Sequence, residues 1–455
     1  MFASLRRAGT RHAARRLAAA AAGTVASAGA TAALCHGNHG GEDAMSDRLA
    51  KLEQRLSVFE AQHAVQHTTG QGDAVFSWSV ELTDAFPEDA KPFEKDMHGG
   101  FNEDVETGIV YTGVPGYGLC SISPDLKTWT LLGTDERLKS NIHGIVCFKH
   151  AGQTRLALAQ NEASRVLIVA LDGTVLQELG APKGGEFDFG EANMYYSHTP
   201  TLQVPWGDRD GRHVCRGAAQ NPRRRSAPTL LCTHAPRALT PAEQVPAFAC
   251  TDVTYLDGRL YVVTGYCKGD FVLTATEEDG QWKWGPIAWG GKGDAPGKFD
   301  TAHGVFAHDG SIFVANREAH QVLEFTPTGK LVRALPDIPD GARICNVSRA
   351  EREGWFVMNA LEPIRHTPAK TAAIYAHSGE RLLSTIEPGE LGIPILKHLH
   401  HCWPHYVPGA DGERGVLHLL VHGWSAGKYA VLKHEPGGLP STPKAWSRRS
   451  EPLKK

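Results

Sequence analysis

The chain has no two cysteines spaced two residues apart. Its nine are scattered at Cys35, Cys120, Cys147, Cys215, Cys232, Cys250, Cys267, Cys345 and Cys402. That spacing excludes a zinc site of thiolate pairs and a dithiol redox motif. The odd, irregular set reads as reduced, buried, small hydrophobes. A basic surplus is missing too. The 47 Lys and Arg stand against 50 Asp and Glu, a formal net charge of -3, which leaves no case for nucleic acid as a partner. The phosphate-binding loop, the dinucleotide fingerprint and the G-x-S-x-G elbow are also lacking. Nucleotide-dependent and serine-hydrolase chemistry are therefore disfavoured.

Acidic residues are absent from residues 1–41, which carry Arg6, Arg7, Arg11, Arg15 and Arg16 and then the Ala-rich run 17–35. An Arg-rich, acid-free start has the character of a mitochondrial targeting presequence, with a secretory signal as the alternative. The weakly apolar run 17–35 is a candidate membrane tether, which would leave the domain facing the intermembrane space. Residues 45–62 place Leu49, Leu52, Leu56 and Phe59 at helical spacing. They read as an amphipathic spacer helix over 45–66, or as a short coiled coil that sets an oligomer. Residues 67–74 read as a polar linker, and 437–455 as a polar tail.

What the chain has in abundance is turn residues, 49 Gly and 27 Pro, which suit an all-β domain. From 75 to 436 the sequence repeats a unit of short apolar runs separated by turns. Unit starts fall at His98, His143, His198, Thr251, His303, Asn346 and His405, at intervals of 45, 55, 53, 52, 43 and 59 residues. Four short strands at such a period make a propeller blade. A lone four-stranded sheet cannot bury both faces, so the units must pack radially. Seven starts predict seven blades, or six if the irregular unit from His198 is spurious. Residues 75–82, VFSWSVEL, predict an N-terminal strand that completes the last blade and closes the ring.

Residues 297–332, GKFDTAHGVFAHDGSIFVANREAHQVLEFTPTGKLV, resemble an NHL repeat. More narrowly, residues 250–272, the AHGVF…NRE segment at 302–317, WPHYV at 403–407 and SHTPTL at 197–202 resemble the lyase domain of peptidylglycine α-amidating enzymes. That resemblance implies a propeller holding zinc through three histidines, here His198, His303 and His405. It also implies a catalytic tyrosine, Tyr266, and an active-site arginine, Arg317.

The residues support a related reading without the family. Five of the seven unit starts carry histidine, and starts of inner strands converge on the axis of a propeller. Neutral imidazoles suit zinc, and three of them leave a position open for water or substrate. A structural ring of histidines bonded to backbone explains the same pattern, and a structural calcium ion is a further candidate. His398, His400 and His401, in KHLHHCWPH, either add ligands or sit on a partly solvated loop.

The expectation is a metal-dependent propeller enzyme, lyase or hydrolase, acting on a small polar, carboxylated or peptide substrate at the channel mouth. Tyr266 would move a proton and Arg317 would hold an anionic group. The alternative is a non-enzymatic, membrane-tethered NHL-type propeller that binds another protein.

Overall fold

The computed structural model describes residues 68–182, 248–267, 269–361, 372–393, 398–409, 415–424 and 427–437. The expected presequence, tether and spacer helix, and the unit expected from His198, lie outside the described residues. Among the described residues no helix is long and apolar enough to cross a membrane.

Two strands lead, β1 (Thr68–Gln71) and β2 (Ala74–Trp78), followed by short helices α1 (Val80–Asp84) and α2 (Lys91–Glu94). Blade 1 is β3 (Phe101–Asp104), β4 (Ile109–Val114), β5 (Gly118–Ile122) and β6 (Trp129–Leu132). Blade 2 is β7 (Gly144–His150), β8 (Gln153–Gln160), β9 (Arg165–Ala170) and β10 (Val175–Leu179). Blade 3 is β11 (Asp252–Leu256), β12 (Arg259–Val263), β13 (Phe271–Glu278) and β14 (Gln281–Gly290). Blade 4 is β15 (Ala302–His308), β16 (Ser311–Asn316), β17 (Gln321–Phe325) and β18 (Leu331–Ala334). Blade 5 is β19 (Arg343–Ala350), β20 (Trp355–Leu361), β21 (Ala373–His377) and β22 (Leu382–Ile386). Blade 6 takes β23 (Leu399–Val407), β24 (Val416–Gly423) and β25 (Lys428–His434) from the end of the chain.

Every strand pairs antiparallel with its chain neighbour within its sheet. The hairpins follow from local chemistry. Asp257-Gly258 and Asp309-Gly310 both hold positive φ at each position, 49° and 80°, then 46° and 73°. That is the type I′ geometry Asp-Gly supplies to a two-residue hairpin.

The last sheet runs β1-β2-β25-β24-β23. The N-terminal strand pairs Phe76 with His434 and Trp78 with Leu432, so the ring is closed by the first strands on the last. The stretch 67–74 is not a simple linker. Thr68–Gln71 turns back on β2 and adds a fifth, outermost strand. Its polar composition fits that edge position.

The described residues form six blades, where the unit starts predict seven. Blades 2 and 3 pack directly on each other, which leaves no place for a blade between them. Their shared apolar layer includes Val146, Phe148, Ile168, Val253 and Leu260. A Cβ on Gly144 would lie 2.2 Å from Asp252 Oδ1. Each of the other five blade interfaces has an apolar layer of its own. The core is therefore a set of wedges between sheets, and the axis is left to the innermost strands β3, β7, β11, β15, β19 and β23, which neighbour one another in a ring.

Candidate metal centre at the propeller axis

What each blade delivers to the axis depends on the start of its inner strand. In blades 4, 5 and 6 that start carries a β-bulge. The register shifts between Ala302 and Gly304, between Ile344 and Asn346, and between Leu399 and His401. The extra residues are His303, Cys345 and His400. A bulge leaves its extra residue out of the ladder and re-aims the side chain. His143 and Thr251 hold the corresponding places before β7 and β11, and their N–H groups bond the carbonyls of Ala159 and Val263. Glycine after the histidine lets the next inner strand approach. A Cβ on Gly304 would lie 2.5 Å from the Cys345 carbonyl oxygen.

The rings of His98, His143, His303 and His400 meet at this end of the axis. Ring centroids are 4.0 Å apart for His98 and His400, 4.6 Å for His143 and His400, and 4.7 Å for His98 and His143. His303 lies 4.8 Å from His400 and 4.9 Å from His143. One ring nitrogen each from His98, His143 and His400 falls within 4.8 Å of the others, and all three residues are buried. These three could hold a metal ion.

Hydrogen bonding distinguishes the rings. His143 Nδ1 donates to the Thr251 carbonyl at 2.5 Å. His303 Nδ1 donates to the Cys345 carbonyl at 2.8 Å. In both, the carbonyl from the next blade fixes the proton on Nδ1, so Nε2 carries the lone pair and acts as the acceptor. By that pattern His400 would bond the Gly99 carbonyl, but His422 Nε2 takes it. His400 is 2% exposed, and neither of its ring nitrogens has a hydrogen-bond partner. Buried polar atoms are rarely left so. Next to it, Asn141 Nδ2 lies 2.8 Å from His98 Nδ1 and 3.0 Å from Asn161 Oδ1, while Asn141 Oδ1 is buried with no partner.

Burial holds the His303 ring well below the usual imidazole range, with the Arg317 cation adding to it. Burial and the neighbouring imidazoles do the same for His400. Both rings are neutral near pH 7, the form that binds a metal.

Tyr266 and Arg317 lie at the same place. The Tyr266 hydroxyl is 2.8 Å from His303 Nε2, 3.4 Å from His143 Nε2 and 3.1 Å from Arg317 NH1. Because Arg317 can only donate and His303 Nε2 accepts, the phenolic proton points at His303. Arg317 Nε bonds Glu318 Oε1 at 2.9 Å, and Arg343 grips both oxygens of Glu318. Burial pushes the Glu318 carboxyl up, but the two guanidinium groups outweigh it and hold it down at about 2. Asp252 lines a narrow cleft with His143, His303 and His400, and accepts from the Val253 and Val305 amides. Burial pushes its carboxyl up to about 7.

Of the residues singled out in the sequence, the fold brings together Tyr266, Arg317 and His303. His198 lies outside the described residues. His405 does not join the cluster. It sits five residues along β23 from His400, about 16 Å at the rise of a strand, where it bonds Glu103 Oε2 and the Pro124 carbonyl, each at 2.8 Å. The blade 5 start is Cys345 rather than Asn346. His98 and His143 were visible as unit starts, and His400 as part of the cluster before His405. The bulge that turns His400 inward leaves no mark on strand alternation.

No protein-family model matches the chain, and no curated protein matches it. Solved structures similar to it include streptogramin B lyase, at 11% identity over 74% of this chain and 94% of that one, TM-score 0.40. Luciferin-regenerating enzyme is similar at 12% identity over 75% of this chain and 92% of that one, TM-score 0.39. At these identities and TM-scores the likeness carries no argument about this chain.

Proposed function

We propose that the protein is a metal-dependent propeller enzyme that holds a divalent transition ion, zinc first, on His98, His143 and His400. On this reading it carries out a lyase or hydrolase reaction on a small polar or carboxylated substrate. The observation that carries the proposal is His400, buried, packed against His98 and His143, and without a hydrogen-bond partner for either nitrogen. An all-imidazole donor set suits zinc or a neighbouring transition metal better than calcium, which takes oxygen ligands. Turning the Asn141 and Asn161 amides together would let Asn141 Oδ1 accept from His98 Nδ1 and from the Asn161 amide, with His98 in the tautomer that offers Nε2 as a ligand.

Such an ion supplies Lewis acidity, polarising a substrate oxygen or lowering the pKa of a bound hydroxyl. The chain's own residues supply the rest. Tyr266 would pass a proton, with His303 accepting its hydrogen and Arg317 stabilising charge on its oxygen. Arg317, buried beside the Tyr266 hydroxyl, would attract an anionic group. This keeps the Tyr266 and Arg317 roles implied by the amidating-lyase resemblance, but with a different histidine set. We also propose the mitochondrial address and the tether over 17–35 as the setting of the domain.

A second reading is a structural site, closed by His303 as fourth ligand, in a propeller that binds another protein. One observation favours it: the space between the rings holds no void large enough for a water molecule.

Metal analysis of the purified full chain tests the proposal. One equivalent of zinc or another transition metal is expected in wild type and in His405→Ala, with loss in His98→Ala and His400→Ala. A folded wild type that takes up no metal after supplementation overturns it. Full coordination by four nitrogens in the absorption-edge spectrum, with no exchangeable ligand, would favour the closed structural site.

A further inference from the structure

The candidate site divides between blades. The three histidines proposed to hold an ion stand on blades 1, 2 and 6, whereas Tyr266, His303 and Arg317 belong to the junction of blades 3 and 4. The second half depends on a strained turn. Thr301 holds φ at +68°, a region β-branched residues rarely occupy because Cβ crowds the backbone. Thr301 is 2% exposed, so solvent does not relax it.

Two side chains hold that turn: Asn316 Oδ1 accepts from the Asp300 amide at 2.7 Å, and Asp270 holds the two residues that follow. Asp270 Oδ2 accepts from the Thr301 amide at 2.6 Å, and Asp270 Oδ1 from the Ala302 amide at 2.7 Å. Asp270 is itself 1% exposed. The next residue is His303, the extra residue of the bulge. The Thr301 carbonyl in turn accepts from the Arg317 amide at 2.9 Å. Asp270 also follows Tyr266 by only four residues, on the connection from β12 to β13. A single carboxylate therefore ties the turn that carries Tyr266 to the two segments that carry its partners.

We propose that Asp270 is a positioning residue. By pinning the Thr301 and Ala302 amides, it sets the His303 ring and the Arg317 guanidinium on the Tyr266 hydroxyl. This deepens the enzymatic reading above and rests on it for its catalytic meaning, but its physical content is independent of the ion. Asn at 270 keeps one acceptor and turns a donor toward the other amide. Thr301 is then free to leave the left-handed region and carry His303 with it. Glycine at 301 occupies that region without strain, so it removes the need for the clamp.

The test uses the full chain labelled with 15N at histidine, with the His303 ring signals assigned by their loss in His303→Gln. Wild type is expected to show His303 as a single neutral tautomer protonated on Nδ1. Asp270→Asn should lose that pattern, with both ring nitrogens moving toward tautomer-averaged shifts of several ppm. Asp270→Asn combined with Thr301→Gly should regain it. Metal content should stay at the wild-type value in every variant, because the proposed ligands lie on other blades. A wild-type His303 pattern in Asp270→Asn overturns the proposal, as does a double variant no closer to wild type than the single one. If Asp270→Asn fails to fold, the double variant decides: recovery of the fold and of the His303 pattern supports the proposal, and failure of both overturns it. A metal-free wild type with the expected His303 behaviour would remove the enzymatic reading and leave the positioning role standing.

Discussion

The Tyr266 hydroxyl lies 2.8 Å from His303 Nε2, on a ring whose other nitrogen is tied to the Cys345 carbonyl. With Arg317 NH1 3.1 Å from the same hydroxyl, the phenol joins a base and a cation from a neighbouring blade. Removing only the oxygen breaks both contacts. Tyr266→Phe should leave a buried ring nitrogen and a buried guanidinium short of a partner, at a cost of about 1–3 kcal/mol. Urea unfolding reads that loss. Metal content should not change, and turnover of any substrate found should fall by about a hundredfold or more. Unchanged turnover would remove Tyr266 from the chemistry.

His400 makes the opposite prediction for stability. A buried imidazole with both nitrogens unpartnered is a cost that an apolar side chain of similar size avoids. In chelator-treated protein, His400→Leu should melt at or above the wild-type temperature. In metal-loaded protein the order should reverse, since a bound ion stabilises wild type by mass action. Thermal scans with and without zinc decide it. The same rank in both conditions would argue against His400 as a ligand.

Glu318 holds two buried arginines at once. Glu318→Gln removes the negative charge and leaves Arg317 and Arg343 facing each other without compensation. Breaking a buried ion pair from one side costs about 3–5 kcal/mol. The variant should show that loss in denaturant unfolding and should also release Arg317 from its place on Tyr266. A loss below about 1 kcal/mol would mean that water or another group screens the two cations.

Acid should weaken the fold through His418. Burial lowers its pKa from about 6.5 in the unfolded chain to about 4, and nearby His405 and Lys433 act in the same direction. The Val416 carbonyl and Glu435 oppose that shift without cancelling it. The folded-state pKa is depressed, so the unfolded chain binds the proton more readily. The contribution is complete above about pH 6.5 and is lost as pH falls through about 4. A shift of this size corresponds to about 3 kcal/mol at most. His418→Gln should flatten that limb of the stability curve. An equally steep fall in the variant would assign the acid sensitivity elsewhere.

Much of the fold could be read along the chain. Alternating apolar runs, Asp-Gly turns and a period near fifty residues are local facts, and they specified four-stranded blades closed by an N-terminal strand. The resemblance of residues 250–272 and of the AHGVF…NRE segment to the amidating lyases implied Tyr266 and Arg317 beside His303, and the fold brings the three together. The number of blades and the identity of the inward-facing histidines were not local. Blade count depends on whether blades 2 and 3 touch, which Gly144 against Asp252 settles in space. His303 and His400 reach the axis through bulges that add one residue to β15 and β23. Strand periodicity cannot register one extra residue at the end of a run, so WPH drew attention to His405 while the bulge turned His400 to the axis. Sequence alone determined the kind of unit and the residue types at its ends. Convergence on an axis joins residues hundreds of positions apart, and only the closed ring decides which of them meet.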